Sequence, residues 1–335
     1  MASSMDEKKA AQTGTFLGEF PYVRLGNGPQ NLMILPGLTL ENESPNRFAA
    51  WTYRLGFGRF ARDHTVYVIN RRRGMPAGYK TQDMAADYAR IIEGELGPSH
   101  VMGFSTGGEI AQYVAIDHPE VVLSLALIVS ASRLSEEGRQ ACERWHNLTR
   151  EARWQELRAD MASATVTGER NKRLARAFMK VFGRIVLGAP SDPSDFLTTL
   201  EADLGHDTTG RLAEISAPTL VVGGGRDRFY PRNLFAATRL FRRDIQATEA
   251  ITLGKATRSI RRCICGDKTR GRRIAACSPC VGFSPFNRGE SGRCDAVACV
   301  LFPEHRGIMR EDNQVKRRTP HQLTTASLLL PHRLI

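Results

Sequence analysis

The chain has 335 residues, enough for one large domain or two smaller ones, and its hydrophobic fraction of 41% supplies a substantial core. No apolar run of about 18 residues occurs and Met1–Thr13 contain no apolar segment, so neither a membrane span nor a secretory signal is read, and a cytoplasmic location is expected. The formal net charge of +12 is concentrated in one stretch: residues 251–335 hold 16 Lys and Arg against 6 Asp and Glu, whereas the rest holds 31 against 29, so the body of the chain has no nucleic-acid signature.

In chain order, Met1–Thr13 read as a tail. Asn31–Leu35, ended by Pro36-Gly37, and the β-branched Thr65–Asn70 read as buried strands. Gln82–Leu96 has helical apolar spacing through Met84, Ala85, Tyr88, Ile91 and Ile92, with Gly97-Pro98 as its stop. Ser99–Phe104 is the next strand, Gly108–Ile116 a helix closed by His118-Pro119, and Val121–Ser130 another strand. Pro218–Gly223 is a further strand, followed by a helix over Arg232–Arg242. Near-continuous apolar strands alternating with helices imply a mostly parallel sheet covered by helices on both faces.

Residues 133–206 break this rhythm. They are rich in charge and helix formers, with Trp145, Trp154, Phe178, Met179 and Phe182 interspersed, and admit a strand only near Ile185–Leu187. They read as a helical cap insertion, so the core is divided into residues 14–132 and 207–250. The aromatics of the insertion line a substrate site or hold it to the body.

The stretch with the most chemical content is Gly103-Phe104-Ser105-Thr106-Gly107. It lies between a strand and a helix, the context that a G-x-S-x-G turn requires. There a serine hydroxyl projects above the sheet edge, the glycines make room for a sharp backbone, and the helix N-terminus faces the place where an oxyanion forms.

The order of these elements over residues 20–243 resembles the α/β-hydrolase superfamily, the serine esterase and lipase-like members in particular. Ile34-Leu35-Pro36-Gly37-Leu38 sits where that family has its oxyanion loop. Asn70-Arg71-Arg72-Arg73-Gly74 resembles its D-x-R-G turn, one residue longer and with Asn70 in place of the acid. Gly224–Pro231 resembles the turn that carries the triad acid. The resemblance implies Ser105 as nucleophile, the backbone N–H groups of Leu38 and Thr106 as the oxyanion hole, and Asp227 as the acid. It implies an acyl-enzyme route on a small-molecule carboxylic ester, thioester or lactone, with no cofactor and no metal. Relatives with an aspartate nucleophile are excluded by Ser105.

The family order Ser, Asp, His requires a histidine after Asp227, on a loop past the last strand. Ile251–Thr257 occupies about that place and has none. Only His305, His321 and His332 follow Asp227, and His305, in Pro303–Gly307, is the candidate base. His206 and His118 read as structural.

Residues 251–335 lack periodicity and hold six of the seven cysteines. Their Arg-, Cys-, Ser- and Pro-rich text fits out-of-frame translation of a GC-rich gene best. The alternatives are a zinc module on Cys263, Cys265, Cys277 and Cys280, or a basic tail for nucleic acid or an acidic partner. The chain is then a hydrolase impaired by loss of its histidine or, alternatively, a hydrolase-fold protein that binds without turnover. Neither the exact substrate nor the oligomeric state is readable.

Overall fold

The structure is a computed structural model that describes residues 11–45, 47–187, 190, 192–235 and 246–248. Among the described residues, eight strands form one sheet in the order β1-β2-β4-β3-β5-β6-β7-β8. They are β1 (Gln12–Phe16), β2 (Phe20–Leu25), β3 (Gln30–Leu35), β4 (His64–Ile69), β5 (Ser99–Phe104), β6 (Val122–Ile128), β7 (Thr219–Val222) and β8 (Gln246–Thr248). β1 pairs antiparallel with β2, and β2 with β4, while all other pairs are parallel.

The parallel strands are apolar throughout because both faces are covered. On β3, Met33 and Leu35 join one core and Leu32 and Ile34 the other, as the two-residue period of a strand dictates. The first core is closed by α2 (Thr81–Ile91) and α3 (Thr106–Asp117), through Met84, Tyr88, Ile110 and Val114. The second is closed by α1 (Arg47–Phe57), through Ala50, Tyr53 and Phe57. Helix α3 is buried on every side from Thr106 to Ile116, so its polar residues Glu109 and Gln112 are buried too.

The described part of residues 133–206 contains four helices: α4 (Glu136–Arg150), α5 (Trp154–Ala164), α6 (Glu169–Leu187) and α7 (Ser194–Gly205). They have their own core of Cys142, Trp145, Leu157, Phe196 and Leu200, which also takes in Leu40 and Tyr230 from the body. α6 packs chiefly on α5 and leaves Leu174, Phe178, Val181 and Ile185 exposed. α7 is fixed to the body at its first turn, where the Asp195 carboxylate accepts from the backbone N–H groups of Gly74 (3.0 Å) and Met75 (2.7 Å).

Several local expectations change. Ile185–Leu187 is the end of α6 rather than a strand: Ile185 continues the helical stripe of Leu174, Phe178, Val181 and Phe182. The helix expected over Gln82–Leu96 ends at Ile91 and continues as one π-helical turn, Ile92–Leu96. β1 takes in Gln12 and Thr13, which the sequence reading assigned to the tail. The helix after Pro231 is described over residues 232–235 only.

Candidate active site

Ser105 stands at the C-terminal end of β5 and N-caps α3, with φ 49° and ψ −122°. A side chain in that backbone region stores strain on the order of 1–3 kcal/mol, held in place by its surroundings. The Ser105 N–H donates to the Ile128 carbonyl (3.0 Å), and its carbonyl accepts from Gly108 (2.7 Å) and Glu109 (3.1 Å). Two glycines make the turn sterically feasible. A Cβ at Gly103 would lie 2.4 Å from the Gly107 carbonyl oxygen, and one at Gly107 would lie 2.3 Å from the Leu35 carbonyl oxygen. The G-x-S-x-G spacing is therefore a packing requirement of this strand–helix junction.

The loop after β3 lies alongside. A Cβ at Gly37 would come 3.4 Å from the Ser105 Cβ, which puts Leu38 beside the serine. The loop is held by Arg71, which is 1% exposed. Its guanidinium donates to the carbonyls of Pro36 (3.3 Å) and Gly37 (3.2 and 3.1 Å) and to Thr39 Oγ1 (2.8 Å). The N–H groups of Leu38 and Thr106 have no acceptor among the described residues.

Asp227 lies in the turn after β7, two strands from β5 and so about 10 Å from it at the usual strand spacing. Its N–H closes the turn on Gly224 (3.0 Å). Its Oδ1 accepts from the N–H groups of Phe229 and Tyr230, each at 2.9 Å. Burial pushes this carboxyl up from the ordinary aspartate value, against the pull of those two N–H groups. With Oδ1 used inside the turn, Oδ2 is the oxygen left to face a third group. Ser135 ties the turn to the start of α4: its N–H donates to the Phe229 carbonyl (2.8 Å), its hydroxyl donates to the Arg228 carbonyl, and its Oγ accepts from the Gly138 N–H (3.0 Å).

β8 runs parallel to β7, with Val222 opposite Thr248, so its C-terminal end lies at the same end of the sheet as those of β5 and β7. The residues after Thr248 lie outside the described residues, His305 and the cysteine and arginine clusters among them. Among the described residues no histidine hydrogen-bonds Ser105 or Asp227. His64 and His100 open β4 and β5, at the opposite strand ends, and their rings are 5.9 Å apart. His118 is the C-cap of α3, and His146 meets Glu201 at 3.1 Å. His206 is buried, with its Nδ1 3.4 Å from Thr81 Oγ1 and its ring edge-on to Tyr113, and burial pushes its pKa down to about 3.

The sequence reading missed a second layer beneath the serine. Thr106 Oγ1 donates to Asp203 Oδ2 (2.7 Å), and Tyr230 Oη donates to Glu109 Oε1 (2.7 Å). Glu109 is 0% and Asp203 3% exposed. The available signal was a lone acid, Glu109, inside the predominantly apolar run Gly108–Ile116. One group of metal-capable side chains occurs among the described residues, Glu93, His118 and Glu120, with ligand atoms within 4.8 Å of one another. It is partly exposed and lies at the far end of α3 from Ser105.

A mostly parallel sheet covered on both faces, with a strained serine between two obligatory glycines at a strand–helix junction, defines the α/β-hydrolase class of fold. Residues 32–256 match the model of the Alpha/beta hydrolase family, and the chain belongs to that family. No curated protein sequence matches the chain. Solved structures similar to it include an α/β hydrolase enzyme from a Medee basin deep-sea metagenome library, at 13% identity and TM-score 0.63, covering 78% of this chain and 100% of that one. The enol-lactonase of Burkholderia xenovorans aligns at 14% identity and TM-score 0.60, over 74% of this chain and 98% of that one. An esterase of Exiguobacterium antarcticum aligns at 16% and 0.57, over 74% and 97%. At these identities the likeness is one of fold.

Proposed function

We propose that the chain is a serine hydrolase of the carboxylic-ester type that acts on a small ester, thioester or lactone. The observation that carries this is Ser105 at φ 49° between Gly103 and Gly107, with the Pro36–Leu38 loop alongside. Ser105 Oγ attacks the carbonyl carbon and gives its proton to a base. The N–H groups of Leu38 and Thr106 receive the charge that develops on the carbonyl oxygen, a contribution of about 3–4 kcal/mol per donor in well-studied hydrolases. Collapse expels the alcohol or thiol and leaves an ester on Ser105, which water then cleaves. Asp227, through Oδ2, orients the base and stabilises its charged form. The esterase and lactonase neighbours support the same carbonyl chemistry.

The base is the deficient part. Residues 249–257, which follow β8 in the sequence, contain no histidine, and the only later ones are His305, His321 and His332. We infer that turnover by this chain is impaired. A second reading, a hydrolase-fold protein that binds without turnover, rests on the same absence. Short p-nitrophenyl esters and a fluorophosphonate probe separate the two. Turnover that is lost in Ser105→Ala supports the enzyme, and its further loss in His305→Ala assigns the base. Probe labelling of Ser105 without turnover supports the impaired hydrolase. Neither labelling nor turnover leaves the binding protein.

A further inference from the structure

Glu109 and Asp203 are both buried, on α3 and α7, and neither takes part in the reaction as described. Each has one oxygen engaged: Glu109 Oε1 accepts from Tyr230, and Asp203 Oδ2 accepts from Thr106. The opposite oxygens, Glu109 Oε2 and Asp203 Oδ1, have no donor among the described protein groups, and the two carboxyls are neighbours: Asp203 is hydrogen-bonded to Thr106, one turn before Glu109 on α3. Two buried carboxylates in contact repel each other, and each bare oxygen costs its full desolvation. A single proton between them removes both penalties. The chain then runs from Tyr230 Oη to Glu109 Oε1, from the protonated Glu109 Oε2 to Asp203 Oδ1, and from Thr106 Oγ1 to Asp203 Oδ2, with every oxygen satisfied.

We propose that Glu109 and Asp203 form a proton-sharing carboxyl pair that positions the hydrolase site. The pair has three attachments. Thr106 belongs to the turn that follows Ser105 and carries one of the two oxyanion N–H groups. Tyr230 gives its own N–H to Asp227 (2.9 Å) and so belongs to the acid turn. Asp203 belongs to α7, the last helix of the insertion. One proton therefore couples the serine turn, the acid turn and the insertion. The catalytic meaning of this unit rests on the serine-hydrolase reading above, whereas its existence does not.

The surroundings favour this protonation state. Burial, then the Asp203 charge, push the Glu109 carboxyl well above the ordinary glutamate range. Burial raises Asp203 to about 6, while Thr106 and the Arg71 charge pull it down, so Asp203 is the partner that ionises. The other titratable groups facing the pair are Tyr230 from the acid turn, Cys142 on α4 and Tyr113 on α3, all raised by burial and neutral at pH 7, with Arg139 on α4 the cation beside Cys142. Apart from the pair itself, the charge that acts on it directly is Arg71, through Asp203; Cys142 has Arg139 and Glu143 beside it, of opposite sign, and Tyr113 has Arg211, Asp117 and Asp207.

The test uses Glu109→Gln, Glu109→Ala, Asp203→Ala and Thr106→Val in the full chain. An infrared difference spectrum at pH 7 between the parent and Glu109→Gln should show one protonated carboxyl band in the parent. A glutamine can donate to Asp203 and accept from Tyr230, so Glu109→Gln should melt within about 2 °C of the parent, with Glu109→Ala well below both. Hydrogen–deuterium exchange of the segments 103–110 and 226–231 should be at least tenfold faster in Asp203→Ala or, if that variant does not fold, of segment 103–110 in Thr106→Val, and unchanged in Glu109→Gln. A missing carboxyl band, Glu109→Gln melting with Glu109→Ala, or parent-like exchange in the folded variants each overturns the pair. None of these readouts needs turnover, so they separate failure of the pair from failure of the hydrolase reading, which Ser105 labelling decides.

Discussion

Arg71 donates to the Gly37 carbonyl with both terminal nitrogens, at 3.2 and 3.1 Å, and so fixes the loop that lies against Ser105. The guanidinium is buried, and four hydrogen bonds from its terminal nitrogens replace part of the water it gave up, while Nε has no acceptor among the described residues. Arg71→Met removes them all and leaves carbonyls without donors, so denaturant unfolding should show a loss of about 2–4 kcal/mol. Arg71→Lys restores a charge without the planar fork and should recover only part of it. Equal stability of the parent and Arg71→Met would remove the anchoring role.

Gly107→Ala places a Cβ 2.3 Å from the Leu35 carbonyl oxygen, a backbone atom that cannot swing aside. Expression in soluble form should fall sharply, or stability should drop by more than about 3 kcal/mol. Gly56→Ala, inside α1 with nothing within 4 Å, is the control and should gain about 0.5–1 kcal/mol. A Gly107→Ala protein as stable as the parent contradicts the packing described for the elbow.

Ser135 caps α4 and binds the acid turn at once. Ser135→Ala loses the acceptor for the Gly138 N–H and the donor to the Arg228 carbonyl. A loss of about 1–2 kcal/mol is expected in urea unfolding, and Ser135→Asp should recover the cap but not the donor.

The buried His206 gives stability a pH dependence of known sign. Its pKa is about 3 folded against 6.5 as the ordinary value, so between those limits the unfolded chain binds the extra proton. The neutral histidine is fully tolerated above about pH 6.5, and stability drains as the pH falls toward 3. Asp203 works in the opposite direction: raised from 3.8 to about 6, its contribution is present at low pH and is lost as the pH rises through about 6. The two slopes offset each other in the parent, so the comparison with His206→Gln isolates the histidine. Relative to that variant, the parent should lose stability with a slope that steepens from about 0.7 kcal/mol per pH unit at about pH 6.5 to about 1.4 near pH 5. Parallel pH–stability curves would show that His206 is protonated without cost.

The serine turn was legible because its determinants are local. Gly103, Ser105 and Gly107 meet backbone within a few residues of themselves or in the neighbouring loop, and the strand and helix on either side announce themselves by apolar runs. Asp227 was legible from its Gly-rich turn and Pro231. The β1–β2 hairpin was not, because β1 is a mostly exposed edge strand in which only Gly14 and Phe16 are half-buried, Phe16 against the rings of Tyr22 and Tyr67, and so offers too little apolar alternation to mark a strand. β8 is three residues long and is specified by its neighbour β7 rather than by its own text. The Thr106–Asp203 bond joins positions 97 apart, and no local pattern marks either end. Arg71 was read as part of a turn, and its role emerged only when the loop after β3 was seen folded over it.

Helix α7 is bolted at both ends, by Asp195 to the Gly74 and Met75 backbone and by Asp203 to Thr106. It therefore divides the insertion into a bracket that belongs to the catalytic body and a hanging pair, α5 and α6, that belongs mainly to itself. Substitutions in the hanging pair leave the turn that carries Ser105 undisturbed, while α7 is bound to the history of the elbow.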